Sequence, residues 1–140
     1  MKIHQLSIFA ENKPGRLLAA CEVLAAAGVS IRTLCLADTQ QYGILRLIVH
    51  DWEHAHELLK AAGFVVKVTE VVAVEVPDRP GGLAEVLRAI QRAGINVEYM
   101  YAFTEKRGDK AMLVFRFENV DVAIGALKDS GVNLIADVEI

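Results

Sequence analysis

Two short loops of similar sequence carry the residues best suited to binding a small charged molecule. The first spans residues 11–17 with the sequence ENKPGRL, and the second spans residues 77–83 with the sequence PDRPGGL. Each loop follows an apolar run and precedes a helical pattern, so the unpaired N–H groups of the first helical turn point toward it. Such groups bind carboxylates and other anions. Proline at the first helical position presets φ, and glycine permits a positive φ or a close approach. The pattern predicts two anion-binding loops, with ordinary strand-to-helix turns as the alternative.

The only dense group of potential metal ligands or acid-base residues is the sequence HDWEHAH at residues 50–56. If a helix begins at Asp51, His50 lies outside it, and His54 and His56 point about 200° apart at 100° per residue. They cannot bind one metal ion from that helix. We therefore expect a capped helix start and no metal site.

No other motif indicates catalysis. Cys21 and Cys35 form neither a C-x-x-C pair nor a disulfide framework and are expected to be buried thiols. The sequence lacks the nucleophile motif G-x-S-x-G and the phosphate loop G-x-x-x-x-G-K. We expect no catalytic residue and no cofactor.

The two loops belong to a repeat that covers the chain. Pro14 and Pro80 are 66 residues apart, and the offset is 68 by Gly63 and Gly131. A repeat of this length is near the lower size at which a domain closes its own core. The sequence predicts two domains, residues 1–70 and 71–140, with almost no linker.

Hydrophobic periodicity predicts the same order of elements in each half. In the first half the predicted elements are strand 2–9, helix 14–27, strand 29–38, turn 39–41, strand 42–49 and a helix from Asp51 to 62. Residues 64–76 are predicted to hold two strands that meet near residues 69 and 70. In the second half the predicted elements are helix 80–93, strand 95–104, strand 110–117, a helix capped by Asn119 and strand 132–140.

Each half is thus predicted to be β-α-β-β-α-β, an α+β ferredoxin-like fold with both helices on one face of a four-stranded antiparallel sheet. The other sheet face and the edge strands would be uncovered. We expect the halves to pair with each other or with a second chain, and we expect a homodimer.

The sequence resembles a tandem pair of ACT domains, which are small amino-acid-sensing modules attached to many biosynthetic enzymes. The resemblance covers nearly the whole chain. It is carried by N-x-P-G-x-L at residues 12–17 with AGVSI at 27–31, and by D-x-P-G-x-L at 78–83 with AGINV at 93–97. It implies side-by-side pairing of the two domains into an eight-stranded sheet, with amino-acid effectors bound at the seam between them.

The resemblance also implies the ligand-binding residues. These are Asn12, Pro14, Gly15, Arg16, Leu17, Ser30, Ile31, Asp78, Pro80, Gly81, Gly82, Leu83, Asn96 and Val97. Asn12 would face Asn96, and Asp78 would face Ser30. Backbone N–H groups around Gly15-Arg16 and Gly81-Gly82 would take the effector carboxylate. The site with Asn12 is expected to bind more tightly, because an Asp78 carboxylate would repel that of the effector.

Since the two copies fill the chain, the resemblance implies a free-standing regulatory sensor that acts in trans on a metabolic enzyme. The alternatives are a structural or regulatory subunit without its own ligand, and a small ferredoxin-like enzyme. The composition, 140 residues with 54% hydrophobic, a net charge of −3 and no basic tract, argues against nucleic-acid binding. The apolar runs are too short for a membrane span, and the N-terminus lacks a secretory signal, so a cytoplasmic location is expected.

Overall fold

The computed structural model describes residues 1–38 and 42–136. The chain divides into two compact units. We call His4–Thr69 the first unit, and Met1–Ile3 with Glu70–Ile140 the second unit. The elements are β1 Ile3–Glu11, α1 Arg16–Ala26, β2 Ile31–Asp38, β3 Tyr42–Val49, α2 Trp52–Ala61, β4 Val65–Pro77, α3 Gly82–Arg92, β5 Val97–Ala102, β6 Lys110–Phe117, α4 Val120–Asp129 and β7 Leu134–Ile135.

The first unit places β3 between β1 and β2, with both pairings antiparallel. Leu6 lies opposite Leu47 in this register, and alternate residues on β1 and β3 point toward the two helices. The buried core of the unit consists of Leu6, Ile8, Ala20, Leu24, Leu45, Leu47, Val49, Ala55, Leu59 and Phe64. This core fixes α1 and α2 on one face of the sheet.

The second unit has the same plan, with β6 between β4 and β5, and β7 paired antiparallel to β4. Phe115 and Phe117 stack with ring centroids 5.5 Å apart and are fully buried. Removing each ring from water contributes about 1.5–3 kcal/mol to stability. The predicted α+β fold, with antiparallel sheets and a repeated βαββαβ order, is confirmed.

One predicted strand boundary is absent from the structure. The two strands predicted in 64–76 form one continuous strand, β4, because no turn residue interrupts its run of β-branched side chains.

The caps predicted at Asp51 and Asn119 are present, since their side chains accept hydrogen bonds from the N–H groups of His54 and Val122, each at 3.2 Å. The predicted turn 39–41 and residues 137–140 of the predicted last strand lie outside the described residues.

Alternation along the strands directs a second set of side chains to the sheet face opposite the helices, and several of these side chains are buried. They are Gln5, Thr33, Ile48, Val71, Ala73 and Val114. What covers that face, whether the other half or a second chain, stays a prediction. Among the described residues, no helix is both long enough and apolar enough to cross a bilayer.

The turns into α1 and α3 depend on glycines. Gly15 and Gly81 are the N-cap residues, with φ of 87° and 84°, a left-handed conformation that costs glycine little. Pro14 and Pro80 therefore precede the N-cap. The prediction that they occupy the first helical position is wrong. Gly82 is required for a different reason, because a Cβ atom on it would overlap the carbonyl oxygen of Pro77.

We predict that Gly82→Ala lowers the free energy of unfolding by about 1–3 kcal/mol, the usual cost of overpacking at a site that cannot expand. The matched control is Gly125→Ala, within α4, where an added Cβ meets no atom within 4 Å. That change should raise the free energy of unfolding by about 0.5–1 kcal/mol, because alanine favours helix. Chemical denaturation measures both, and equal stability of Gly82→Ala and the parent protein would contradict the close approach.

Candidate functional site

The first loop leaves two backbone donors unpaired at the start of α1. The carbonyl of Lys13 accepts the N–H of Arg16 at 3.3 Å, and the carbonyl of Gly15 accepts the N–H of Ala19 at 3.0 Å. Between them, the N–H groups of Leu17 and Leu18 have no acceptor in the described part of the chain. Such donors at a helix N-terminus favour an anion.

The second loop repeats this geometry. The carbonyl of Arg79 accepts the N–H of Gly82 at 3.0 Å, and the carbonyl of Gly81 accepts the N–H of Glu85 at 3.0 Å. The N–H groups of Leu83 and Ala84, like those of Leu17 and Leu18, have no acceptor among the described residues. Of the predicted donors, the N–H groups of Arg16 and Gly82 are used within the turns, whereas those of Gly15 and Gly81 have no acceptor among the described residues. Further unpaired donors lie one and two residues after Arg16 and Gly82.

Charged side chains around the first loop pair with one another. The Lys13 ammonium lies 2.8 Å from the Glu11 carboxylate, and the Arg16 guanidinium lies 5.0 Å from the centre of the Phe64 ring. The hydrogen bond and charge of Lys13 lower the pKa of Glu11. The Asn12 amide, by contrast, has no hydrogen-bond partner within residues 1–38 and 42–136. It is therefore available to a ligand.

A small hollow of about 60 Å³ lies beside the first loop and is lined in part by Asn12, Leu17, Leu36 and Gly43. Its wall is largely apolar, and Asn12 supplies a polar amide next to that wall. The hollow combines an apolar surface with a polar group, as small-molecule sites do, but at about 60 Å³ it has room for only part of a ligand.

The second loop differs in its side chains. Lys106 forms an ion pair with the carboxylate of Asp78, and the N–H of Asp78 donates to the carbonyl of Asp109 at 3.0 Å. Arg79 pairs with Glu85 at 2.9 Å. Asp78, which corresponds to Asn12 in the first loop, is thus paired with Lys106.

The remaining predicted site residues lie at the other end of each helix. Ser30 and Asn96 follow α1 and α3, and Ile31 and Val97 begin β2 and β5. Each helix has 11 residues, which is about 16 Å at 1.5 Å per residue. Asn96 lines a cleft of about 370 Å³ with Glu118 and Asn119. Each predicted pair takes one residue from each unit, so the pairing of Asn12 with Asn96 and of Asp78 with Ser30 stays a prediction.

Within the histidine-rich stretch, residues 50–56, Asp51 is the N-cap of α2. No group of three metal-ligating side chains occurs among the described residues. Cys21 and Cys35, which were predicted to be buried thiols, are free and half-buried.

Sequence analysis did not predict a cavity of about 450 Å³ in the second unit, between α3 and residues 130–133. Helical periodicity indicates which charged residues are exposed, but it does not reveal which of them share a concave surface. The i, i+4 spacing of Arg88 and Arg92 is the one signal in the sequence that could have indicated it.

We predict that Lys13→Gln raises the pKa of Glu11 toward its ordinary value, because the hydrogen bond and positive charge are lost. Since the pKa of Glu11 is lowered in the folded protein, the pair stabilises the fold when Glu11 is ionised. That contribution is lost as the pH falls through the Glu11 pKa. Carboxyl-carbon NMR titration measures the shift, with Lys60→Gln as a charge-matched control that should leave it unchanged. An unaltered Glu11 pKa in Lys13→Gln would contradict the pairing.

The chain is similar in sequence and in structure to known proteins. A family description for an ACT domain pair matches residues 1–140. Protein BT0572 from Bacteroides thetaiotaomicron is 42% identical, with a TM-score of 0.93, over 99% of this chain and 95% of that one. No protein matches in a search of curated proteins.

Two more distant structures share the fold. The regulatory subunit of aspartate kinase from Thermus thermophilus is 16% identical with a TM-score of 0.65, over 91% of each chain. Aspartate kinase from Synechocystis is 20% identical with a TM-score of 0.60, over 97% of this chain and 28% of that one. The match across all 140 residues, together with the repeated loop and fold, shows that the chain belongs to the family of ACT domain pairs.

Proposed function

We propose that this ACT domain pair is a free-standing regulatory sensor that binds an amino acid and regulates amino-acid metabolism in trans in the cytoplasm. In this proposal residues 1–70 and 71–140 form domains that lie side by side in an eight-stranded sheet, with effectors at their seam. The observation that carries the proposal is the duplicated loop in which a left-handed glycine starts a helix whose next two free N–H groups find no acceptor in the described part of the chain.

The chemistry of the first loop suits a zwitterion. The N–H groups of Leu17 and Leu18 would donate to the effector carboxylate, and the Asn12 carbonyl oxygen would accept from its ammonium group. Asn96 would complete this first effector site from the neighbouring domain, as in the predicted pairing. The apolar hollow beside Asn12 and Leu36 would contact the effector side chain.

The second effector site, at Asp78, Gly81, Leu83 and Ser30, should be weaker. An effector ammonium would have to compete with Lys106 for the Asp78 carboxylate. An exposed ion pair is worth about 0–1 kcal/mol, so the competition reduces affinity without closing the site.

A partner enzyme in trans is supported by the kind of protein that shares the fold. The Thermus structure is described as a regulatory subunit of aspartate kinase, so a protein of this fold acts as a regulatory subunit of a metabolic enzyme there. We propose a comparable arrangement for this chain, with the metabolic enzyme as a separate polypeptide.

We also propose a homodimer through the edge strand β2. Leu34 and Leu36 are 47% and 50% exposed on the side of the sheet that carries the helices, and Leu17, which lines the small hollow with Leu36, is 41% exposed. Apolar side chains at a strand edge favour pairing with another chain. The same surface supports the second candidate function, a structural subunit that has no ligand of its own.

The proposed function is tested by calorimetric titration of the whole protein with each of the twenty amino acids. A sensor should bind at least one of them with saturable heat. A subunit without a ligand should give no heat with any, which would refute the sensor and leave the structural role.

We predict that Asn12→Ala weakens binding of the best amino acid by about 1–3 kcal/mol, because a hydrogen bond to a charged group is lost. Asp78→Ala is the matched control, since it changes the equivalent residue of the other loop, and it should have a smaller effect. Side-by-side titration measures both. A loss of affinity in Asp78→Ala alone would reverse the order of the sites, and no loss in either would make both loops simple turns.

We predict that Leu34→Asp converts a dimer into a monomer, because a charge cannot be buried unpaired at an apolar interface. Val65→Asp is the control, since Val65 is 67% exposed on a different strand, and the variant should remain dimeric. Sedimentation velocity at micromolar concentration distinguishes the two states. A parent protein that sediments as a monomer would contradict the homodimer.

A further inference from the structure

The cavity of about 450 Å³ in the second unit is separate from both loops and contains an unusual set of charges. Its lining includes three cations, Arg88, Arg92 and Lys110, and two carboxylates, Glu75 and Glu85. Pockets of a few hundred Å³ are of the size that holds small metabolites.

Both carboxylates are already paired with arginines that do not line the cavity. Arg79 Nη2 donates to Glu85 Oε1 at 2.9 Å, and Arg107 Nη1 donates to Glu75 Oε1 at 3.3 Å. Their negative charge is therefore compensated from outside. These pairs reduce, without removing, the negative charge that the two carboxylates present to the three cations of the cavity.

The three cations have no such partners. Arg88, Arg92 and Lys110 form no ion pair or side-chain hydrogen bond within residues 1–38 and 42–136. Arg88 and Arg92 lie one turn apart on α3, about 6 Å along its axis, where like charges repel. Lys110 is half-buried, and its strand position is fixed opposite Pro77. An anion between them would relieve this repulsion.

Part of the cavity lining is apolar. Val86 and Ala89, on the same helix as the two arginines, are buried, and Pro77 and Val132 complete the surface. Arg88 and Arg92 are exposed, so salt screens their attraction to an anion, which is strongest at low ionic strength. Guanidinium groups also bind carboxylate and phosphate oxygens in pairs, which gives the site directional specificity.

The fold does not require these charges. The repeat offset of 66 aligns Arg88 with Glu22 and Arg92 with Ala26. Lys110 lies opposite Pro77 as Tyr42 lies opposite Glu11, so these two residues also correspond. The matching positions in the first unit hold an acid, an alanine and a tyrosine: Glu22, Ala26 and Tyr42. The same architecture thus forms without the three cations, so folding alone does not explain them.

We propose that the basic cavity, defined by Arg88, Arg92 and Lys110, binds a small polyanionic metabolite that carries two or more carboxylate or phosphate groups. This ligand is distinct in charge and in place from the amino acid proposed above. The two sites would allow one chain to respond to two signals.

The test is an amide NMR titration of the whole protein at low ionic strength with two probes, sodium pyrophosphate and sodium citrate. Saturable shifts confined to α3, the start of β6 and residues 130–133 would support the site. A response to pyrophosphate alone indicates a phosphate ligand, and a response to citrate alone indicates a polycarboxylate. No saturable shift with either probe at millimolar concentration would overturn the proposal.

Variants of equal net charge distinguish anion binding in the basic cavity from a general effect of the protein's net charge. The double variant Arg88→Gln and Arg92→Gln should weaken binding at least tenfold. The control, Lys60→Gln with Lys67→Gln, removes the same net charge from exposed positions of the first unit and should bind like the parent. Equal weakening in both would overturn the proposal. A circular dichroism melt verifies folding, and Lys110→Gln, which should also weaken binding, replaces the double variant if that variant fails to fold.

Discussion

The left-handed glycine that starts α1 and α3 is the constraint on which both proposed amino-acid sites depend. Gly15 and Gly81 turn the chain from a strand into a helix within a few residues, and their conformation suits glycine alone at low cost. Because a glycine N-cap has no side-chain acceptor, the turn leaves backbone donors for something outside the chain. By contrast, α2 and α4 have Asp51 and Asn119 as caps, which fill that role internally. The two kinds of helix start therefore differ in whether a side chain of the helix's own cap accepts from the first N–H groups.

Duplication preserved the geometry of the loops while their side chains diverged. The first loop has an arginine where the second has Gly82, and that arginine lies over Phe64. The second instead brings its backbone against Pro77, which leaves no room for a Cβ atom. The first loop has a free amide at Asn12, whereas the second has a carboxylate held by Lys106. The same backbone thus presents two different chemical surfaces.

The sequence was sufficient for the features that depend on pattern. Period-two alternation in β1 and β3 and the capping residues Asp51 and Asn119 led directly to the observed elements. The position of Pro14 before the cap was not predictable, because a Pro-Gly pair fits either side of a helix start. The burial of Gln5 and Thr33 was also missed, since polar residues in alternation normally face solvent.

The site was less predictable than the fold for a physical reason. Which N–H groups stay unpaired depends on hydrogen bonds such as that from Arg16 to Lys13, and these are set by the angles of the turn. In the same way, neutralisation of Glu75 and Glu85 depends on arginines that lie 32 residues later and six residues earlier in the chain. Sequence spacing carries no information on such long-range pairs.

The central claim is that the unpaired donors of the first loop hold the effector carboxylate. Residue-resolved hydrogen exchange of the amides at Leu17 and Leu18 tests it most directly, with the free protein compared to the protein saturated with its best amino acid. The account predicts rapid exchange without the amino acid, because both N–H groups lack acceptors, and at least tenfold slower exchange with it. Exchange at these two amides that is unchanged while binding is saturated would show that the carboxylate lies elsewhere, and would contradict the account.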